Sequence, residues 1–204
     1  LAAGVAQQIR ALYSECQASI TSRGHQMELR GEPDSLYELV RLVETMYFAY
    51  SHMCNTGRCL HNVDSNSGGG GLSAGLALAC PDSAIHVIEP QGWDVVGQAL
   101  EAGEVVRAVN PPVTICDALQ PDASAPVVLS VLQGRAQPGV VVTDEEVRAA
   151  QRFAFAKLNL VVEPGGAAAL AAALSGKVPV DADTVIMVTG GNTDAASFAK
   201  TLIA

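Results

Sequence analysis

Gly68-Gly69-Gly70-Gly71-Leu72-Ser73-Ala74-Gly75 is the stretch on which the reading of this chain turns. Four consecutive glycines let a backbone turn tightly and approach a ligand without side-chain obstruction. Leu72 to Ala79 are small and apolar and Pro81 closes the run, so a helix is expected there. A helix begun on such a loop aims backbone N–H groups and its positive end at an anion. The loop is not a P-loop, because no Gly-Lys-Ser/Thr follows. Taken alone, a glycine run is equally read as a flexible linker.

The sequence downstream is ordered and periodic. Ile85 to Ile88 is a short strand candidate, and Asp94 to Glu101 is helical in composition, stopped by Gly103. Val140-Val141-Val142 is strand-like, and Thr143-Asp144-Glu145-Glu146 fits a capping box with Thr143 as N-cap and Glu146 reaching back. Pro164 opens an alanine-rich helix to about Leu174, ended by Gly176. Thr184 to Val188 is an unbroken apolar run expected as an interior strand; Gly190-Gly191-Asn192 breaks it, and a last helix covers about Ala195 to Leu202. Strands alternating with helices predict an α/β fold, a mainly parallel sheet covered by helices. In such sheets ligands sit at the carboxyl ends of the strands. Thr189, a hydroxyl at the end of a strand, and Glu163, a carboxylate just before a helix start, therefore join the glycine loop as candidates. Each also has an ordinary use, as a turn hydroxyl and as a partner of a helix N-terminus.

Composition fits this reading. Of 204 residues, 49% are hydrophobic and 16% charged, enough apolar surface for a core and too few charges for a disordered chain. The net charge of −9, with no basic cluster, argues against a nucleic-acid partner. A small anionic ligand remains compatible, because backbone N–H groups bind phosphate without net positive charge. No segment has the length of a membrane helix, and Leu1 to Ala6 lacks the basic and apolar regions of a signal peptide. Cys16, Cys54, Cys59, Cys80 and Cys116 are odd in number and irregular in spacing, so reduced thiols and a cytoplasmic setting are expected. The chain begins without Met and reads as a fragment or a processed product.

Residues 1–67 are less legible. Ser35 to Met46 looks like an amphipathic helix capped by Asp34. His61 to Ser67, just before the glycines, is poor strand material. His52, Cys54, Cys59 and His61 are four zinc-type ligands within ten residues, but their spacing matches no common zinc pattern. Coincidence in a divergent loop accounts for them better than a zinc site does, and no metal site is assigned. His25 and His86 read as surface or structural residues.

The serial order GGGGLSAG, VIEP, ICDAL, VVTDEEV, VVEPGGAAALAAAL and VTGGN resembles the large domain of threonine dehydratases and serine racemases, fold-type-II pyridoxal-phosphate (PLP) enzymes. The resemblance is close over residues 68–204 and weak upstream, where Ala3 to Ala6 and Met27 to Glu38 are similar to small-domain segments. It implies a tryptophan synthase β-like fold: a small-domain remnant and divergent connection over 1–67, and a PLP-binding large domain over 68–204. It also implies that Gly68, Gly69, Gly70 and Gly71, with Leu72, hold the cofactor phosphate. Thr189 would hydrogen-bond the pyridine nitrogen and Glu163 would line the cofactor end of the site. The implied reaction is the dehydration of a small hydroxy amino acid to a 2-oxo acid and ammonia, by a homo-oligomer.

Three departures qualify this. The family's Schiff-base lysine lies in a Ser-Phe-Lys-type motif; the lysines here are Lys157, Lys177 and Lys200, none in such a motif. A lysine both holds PLP covalently and moves the α-proton, so no catalytic residue is assigned and the chain as given is expected to be inactive. The apolar strand that precedes the family's glycines is replaced by Asn62-Val63-Asp64-Ser65-Asn66-Ser67. The family's cation site pairs a Glu with an acid six residues on; Glu89 fits, but Val95 holds the later position and Asp94 lies one residue early, leaving weak candidates. The competing reading is a non-catalytic module on the same fold that binds PLP or another metabolite, or associates with a subunit.

Overall fold

The interior of the sheet is built on the segment whose sequence argues least for a strand. In a computed structural model, which describes residues 17–20, 27–30 and 62–203, Asn62–Asn66 forms β3. It is flanked on both sides within a four-stranded sheet. Two strands precede it, β1 (Gln17–Ile20) and β2 (Met27–Arg30), an antiparallel pair with Gln17 opposite Arg30. After β3 come helix α1 (Gly71–Ala79), β4 (Ala84–Pro90), α2 (Val95–Ala102), α3 (Pro126–Leu132), β5 (Val140–Val142), α4 (Asp144–Phe153), α5 (Ala168–Leu174), β6 (Thr184–Ile186) and α6 (Ala195–Ile203). The order across the sheet is β5-β4-β3-β6 and every pairing in it is parallel. The α/β fold with a parallel, helix-covered sheet is therefore as expected. The sheet also reaches upstream of the 67/68 boundary drawn from the sequence.

Two expectations are corrected. The polar run before the glycines is a buried strand, because its side chains find partners that composition does not reveal. Asn62 Nδ2 donates to Thr184 Oγ1 at 3.4 Å, Ser65 Oγ accepts from Ser73 Oγ on α1 at 3.1 Å, and Asn66 bonds groups around the start of α5. The apolar run from Thr184 is the second correction. It is a half-buried strand at the edge of the described sheet, ending at Ile186, and not an interior one. The ladder continues past Ile186 only through Met187 N–H, which donates to Asp64 O at 3.0 Å.

Period-two alternation sends β3 side chains to opposite faces. Val63 packs with Ile85, Val87 and the apolar residues of α1, α2 and α3. On the other face Ile88 and Val142 pack with α4 and the alanines of α5. The small side chains of α5, Ala168, Ala169, Ala171 and Ala172, lie buried and let the helix approach the sheet closely. The expected capping box opens α4: Thr143 Oγ1 accepts from Glu146 N at 3.3 Å, and Glu146 Oε2 accepts from Thr143 N at 2.7 Å. Gly103 and Gly176 take the left-handed conformation after α2 and α5 and stop both helices. Among the described residues, no helix is long and apolar enough to cross a membrane. The helix expected over Ser35 to Met46, and His52, Cys54, Cys59 and His61, lie outside the described residues.

Candidate functional site

Asn66 ends β3, and the chain turns at once through the four glycines into α1. Gly70 caps the helix at φ 87°, a left-handed value that a Cβ would strain. A side chain there would also collide with Val128 on α3. Among the described residues, no hydrogen bond occupies the N–H groups of Gly68, Gly69 or Gly70. The loop is thus a set of free backbone donors ahead of a nine-residue helix, the arrangement that binds an anion.

A cavity of about 140 Å³ opens over this loop. It is lined by Gly68 to Leu72, by Asn66, by Ala118 and Leu119, and by Glu163, Gly165, Gly166 and Thr189. All seven residues singled out from the sequence as cofactor contacts therefore meet at one place, although more than half the chain separates the glycines from Thr189. The cavity lies at the carboxyl ends of β3 and β6, where ligands of parallel sheets bind.

The far wall is held by close backbone packing. Gly166 O accepts from Thr189 N at 3.2 Å, and a methyl built on Gly166 would overlap the Thr189 carbonyl oxygen. Glu163 is tied to the loop after Thr189. Its N–H donates to Gly190 O at 3.1 Å and its Oε2 accepts from Asn192 N at 3.2 Å. The carboxylate thus fixes the Gly190–Asn192 loop and does not cap the helix that follows it.

Asn66 is the site residue that sequence reading missed. Only 4% exposed, its Oδ1 accepts from Ala169 N at 2.5 Å. Its Nδ2 lies 3.1 Å from Gly166 O, 3.2 Å from Met187 O and 3.2 Å from Thr189 Oγ1. One amide joins the central strand, the start of α5 and the Thr189 segment. Its position two residues before the glycines was the available signal, masked by the polarity of its neighbours.

Glu89 and Asp94, the weak cation candidates, are engaged otherwise. Glu89 is buried, and both its oxygens accept from the first turn of α2, from Val96 N at 3.0 Å and Gly97 N at 2.8 Å. Burial pushes its pKa up to about 8 against those two bonds. Asp94 accepts from Gln98 Nε2 at 3.1 Å. No lysine lines the cavity among the described residues. Lys177 Nζ is held by Glu146 Oε2 at 2.7 Å and Val141 O at 2.9 Å; Lys157 and Lys200 are exposed.

Comparison with known proteins places these features in a family. The description "pyridoxal-phosphate dependent enzyme" matches residues 57–190. A phenylserine dehydratase of Ralstonia pickettii is 34% identical over 141 residues, 66% of this chain and 43% of the relative. A serine racemase of Schizosaccharomyces pombe is 31% identical over 140 residues, again 66% and 43%. Among solved structures, a threonine deaminase of T.th. superposes with a TM-score of 0.70 at 29% identity, over 79% of this chain and 59% of that one. Maize serine racemase gives 0.70 at 26% identity, over 80% and 52%. The chain spans less than half the length of the curated relatives it matches.

Proposed function

The chain belongs to the family of pyridoxal-phosphate-dependent enzymes, and from that premise we propose that residues 62–203 form the cofactor-binding part of a hydroxy-amino-acid ammonia-lyase. The observation that carries this reading is the convergence of the glycine loop, Thr189 and Glu163 on one cavity. The donor set fits the cofactor: unoccupied backbone N–H groups suit a phosphate, and a hydroxyl across the cavity suits a pyridine nitrogen. Gly68 to Gly71 would hold the phosphate from the mouth of α1, with Leu72 seating the loop. Gly165 and Gly166 would keep the wall bare, and Glu163 would hold the loop that presents Thr189. When bound, PLP supplies the electron sink that lets an α-proton and a β-hydroxyl leave the substrate.

The matched phenylserine dehydratase and threonine deaminase support elimination, giving a 2-oxo acid and ammonia, and the matched serine racemases support racemisation as a second reading. A small amino-acid substrate, a homo-oligomer and a cytoplasmic setting belong to the same reading. The family resemblance assigns the α-proton transfer to a lysine amine at the cavity, and Lys157, Lys177 and Lys200 are not there. The chain by itself therefore docks the cofactor without turning over substrate, the behaviour of a binding module.

Pyridoxamine phosphate, which cannot condense with surface amines, tests the docking. Titration should give one molecule bound per chain. Thr189→Ala should weaken binding by about 0.5–1.5 kcal/mol, the worth of one hydrogen bond. Gly69→Asp, which puts a carboxylate in the cradle, should abolish it. Binding that both substitutions leave unchanged would put the ligand elsewhere.

A further inference from the structure

We propose that Asn66 fixes the direction of the Thr189 hydroxyl, so that its hydrogen points into the glycine-lined cavity and meets the ring nitrogen of the cofactor in unprotonated form. This rests on the cofactor reading above and assigns a positioning role to a residue that stands where the resembling enzymes carry an apolar strand.

The argument is one of donors and acceptors. Ala169 N–H can only donate, so the Asn66 atom it meets must be the oxygen. That fixes the amide: its NH₂ faces the opposite way, toward Gly166 O, Met187 O and Thr189 Oγ1. Two of these are carbonyls, which only accept. An amide NH₂ accepts nothing, so the Thr189 hydroxyl cannot aim its hydrogen at Asn66 and turns a lone pair to it. The hydrogen must point elsewhere, and Thr189 lines the cavity. A hydroxyl that arrives as donor is matched by a nitrogen lone pair and mismatched by a pyridinium N–H. A carboxylate at position 66 would reverse this: it would take the hydroxyl hydrogen, leaving a Thr189 lone pair to face a protonated ring nitrogen. Burial of Asn66 keeps water from supplying an alternative partner.

The probe is pyridoxamine phosphate labelled with ¹⁵N in the ring, bound to the chain at a pH where the free probe carries its ring proton. Titration comes first; no binding by the unmodified chain would overturn the cofactor reading, and this proposal with it. With binding established, the ¹⁵N shift of the bound probe should report an unprotonated ring. Below the free probe's ring pKa, affinity should increase about tenfold for each unit by which pH is raised, because binding there expels a proton. Asn66→Asp should move the bound nitrogen to the protonated position and flatten that pH dependence. Asn66→Ala, which adds no charge and leaves the hydroxyl free to turn, should give a nitrogen that titrates while bound. It decides the matter if the aspartate variant does not fold. A protonated ring in the unmodified chain, or the same unprotonated signal in each folded variant, would overturn the proposal while leaving the cofactor site intact.

Discussion

Replacing Gly166 by alanine is expected to cost about 3 kcal/mol of stability, the upper end of the usual overpacking penalty, and to abolish cofactor docking. The added methyl would overlap the Thr189 carbonyl oxygen and press on Val162 Cγ1 at 3.1 Å. Backbone, unlike a flexible side chain, cannot swing aside, so the Thr189 segment must retreat. Retreat would break the bond from Thr189 N to Gly166 O and strain the three contacts of Asn66 Nδ2. Gly165→Ala is the control. Its methyl would meet Leu119 Cγ at 3.2 Å, a side chain able to shift, and a smaller loss is expected. Urea unfolding with a pyridoxamine phosphate titration measures both quantities. Equal stability of the two variants would mean that the close backbone approach does not hold the site.

Asp64→Asn is expected to stabilise the protein by about 3 kcal/mol at pH 7, two pKa units at about 1.4 kcal/mol each, and by almost nothing at pH 4. Asp64 is fully buried in the central strand, and neither carboxylate oxygen has a hydrogen-bond partner among the described residues. Burial pushes its pKa from 3.8 up to about 6. The folded state therefore binds more protons than the unfolded state between those values. Stability contributed by the protonated form is complete below about pH 4, falls as pH rises, and is lost above about 6. His86, opposite Asp64 on β4, works in the other sense: burial lowers its pKa, so acid destabilises it. The difference between the unmodified and the substituted chain cancels that contribution, which both share. Chemical unfolding at pH 4, 5, 6 and 7 checks the slope; a difference that does not vary with pH would contradict a buried ionising carboxylate.

Much of this architecture was legible because it rests on local rules. The glycine loop, the capping box at Thr143 and Glu146, and the glycine stops after α2 and α5 are each decided within a few residues. What was not legible depends on partners distant in sequence. Asn62, Ser65 and Asn66 look unfit for a buried strand until Thr184, Ser73 and Ala169 are in place to satisfy them. Hydropathy ranked Thr184 to Val188 above Asn62 to Asn66 as the interior strand, and the sheet reverses that order. Asn66 was missed for the same reason: its role is set by carbonyl and hydroxyl oxygens at least 100 residues further along the chain. Glu163 and Thr189 became candidates through their places before a helix and at the end of a strand, and only the family resemblance gave them roles, since alone each has a commoner use. The proposed loss of activity has no local signature beyond the positions of three lysines.

The central claim is that this chain carries a cofactor cradle with no amine at it. Incubating residues 1–204 with PLP and threonine, assaying 2-oxobutanoate, and then trapping any adduct with borohydride tests it most directly. The expected result is no 2-oxobutanoate above that formed by free PLP. Trapped label, mapped by mass spectrometry, should be scattered and substoichiometric on the exposed Lys157 and Lys200, and weaker on Lys177, which Glu146 holds. Turnover above that background, or stoichiometric label on a single lysine competed away by pyridoxamine phosphate, would contradict it.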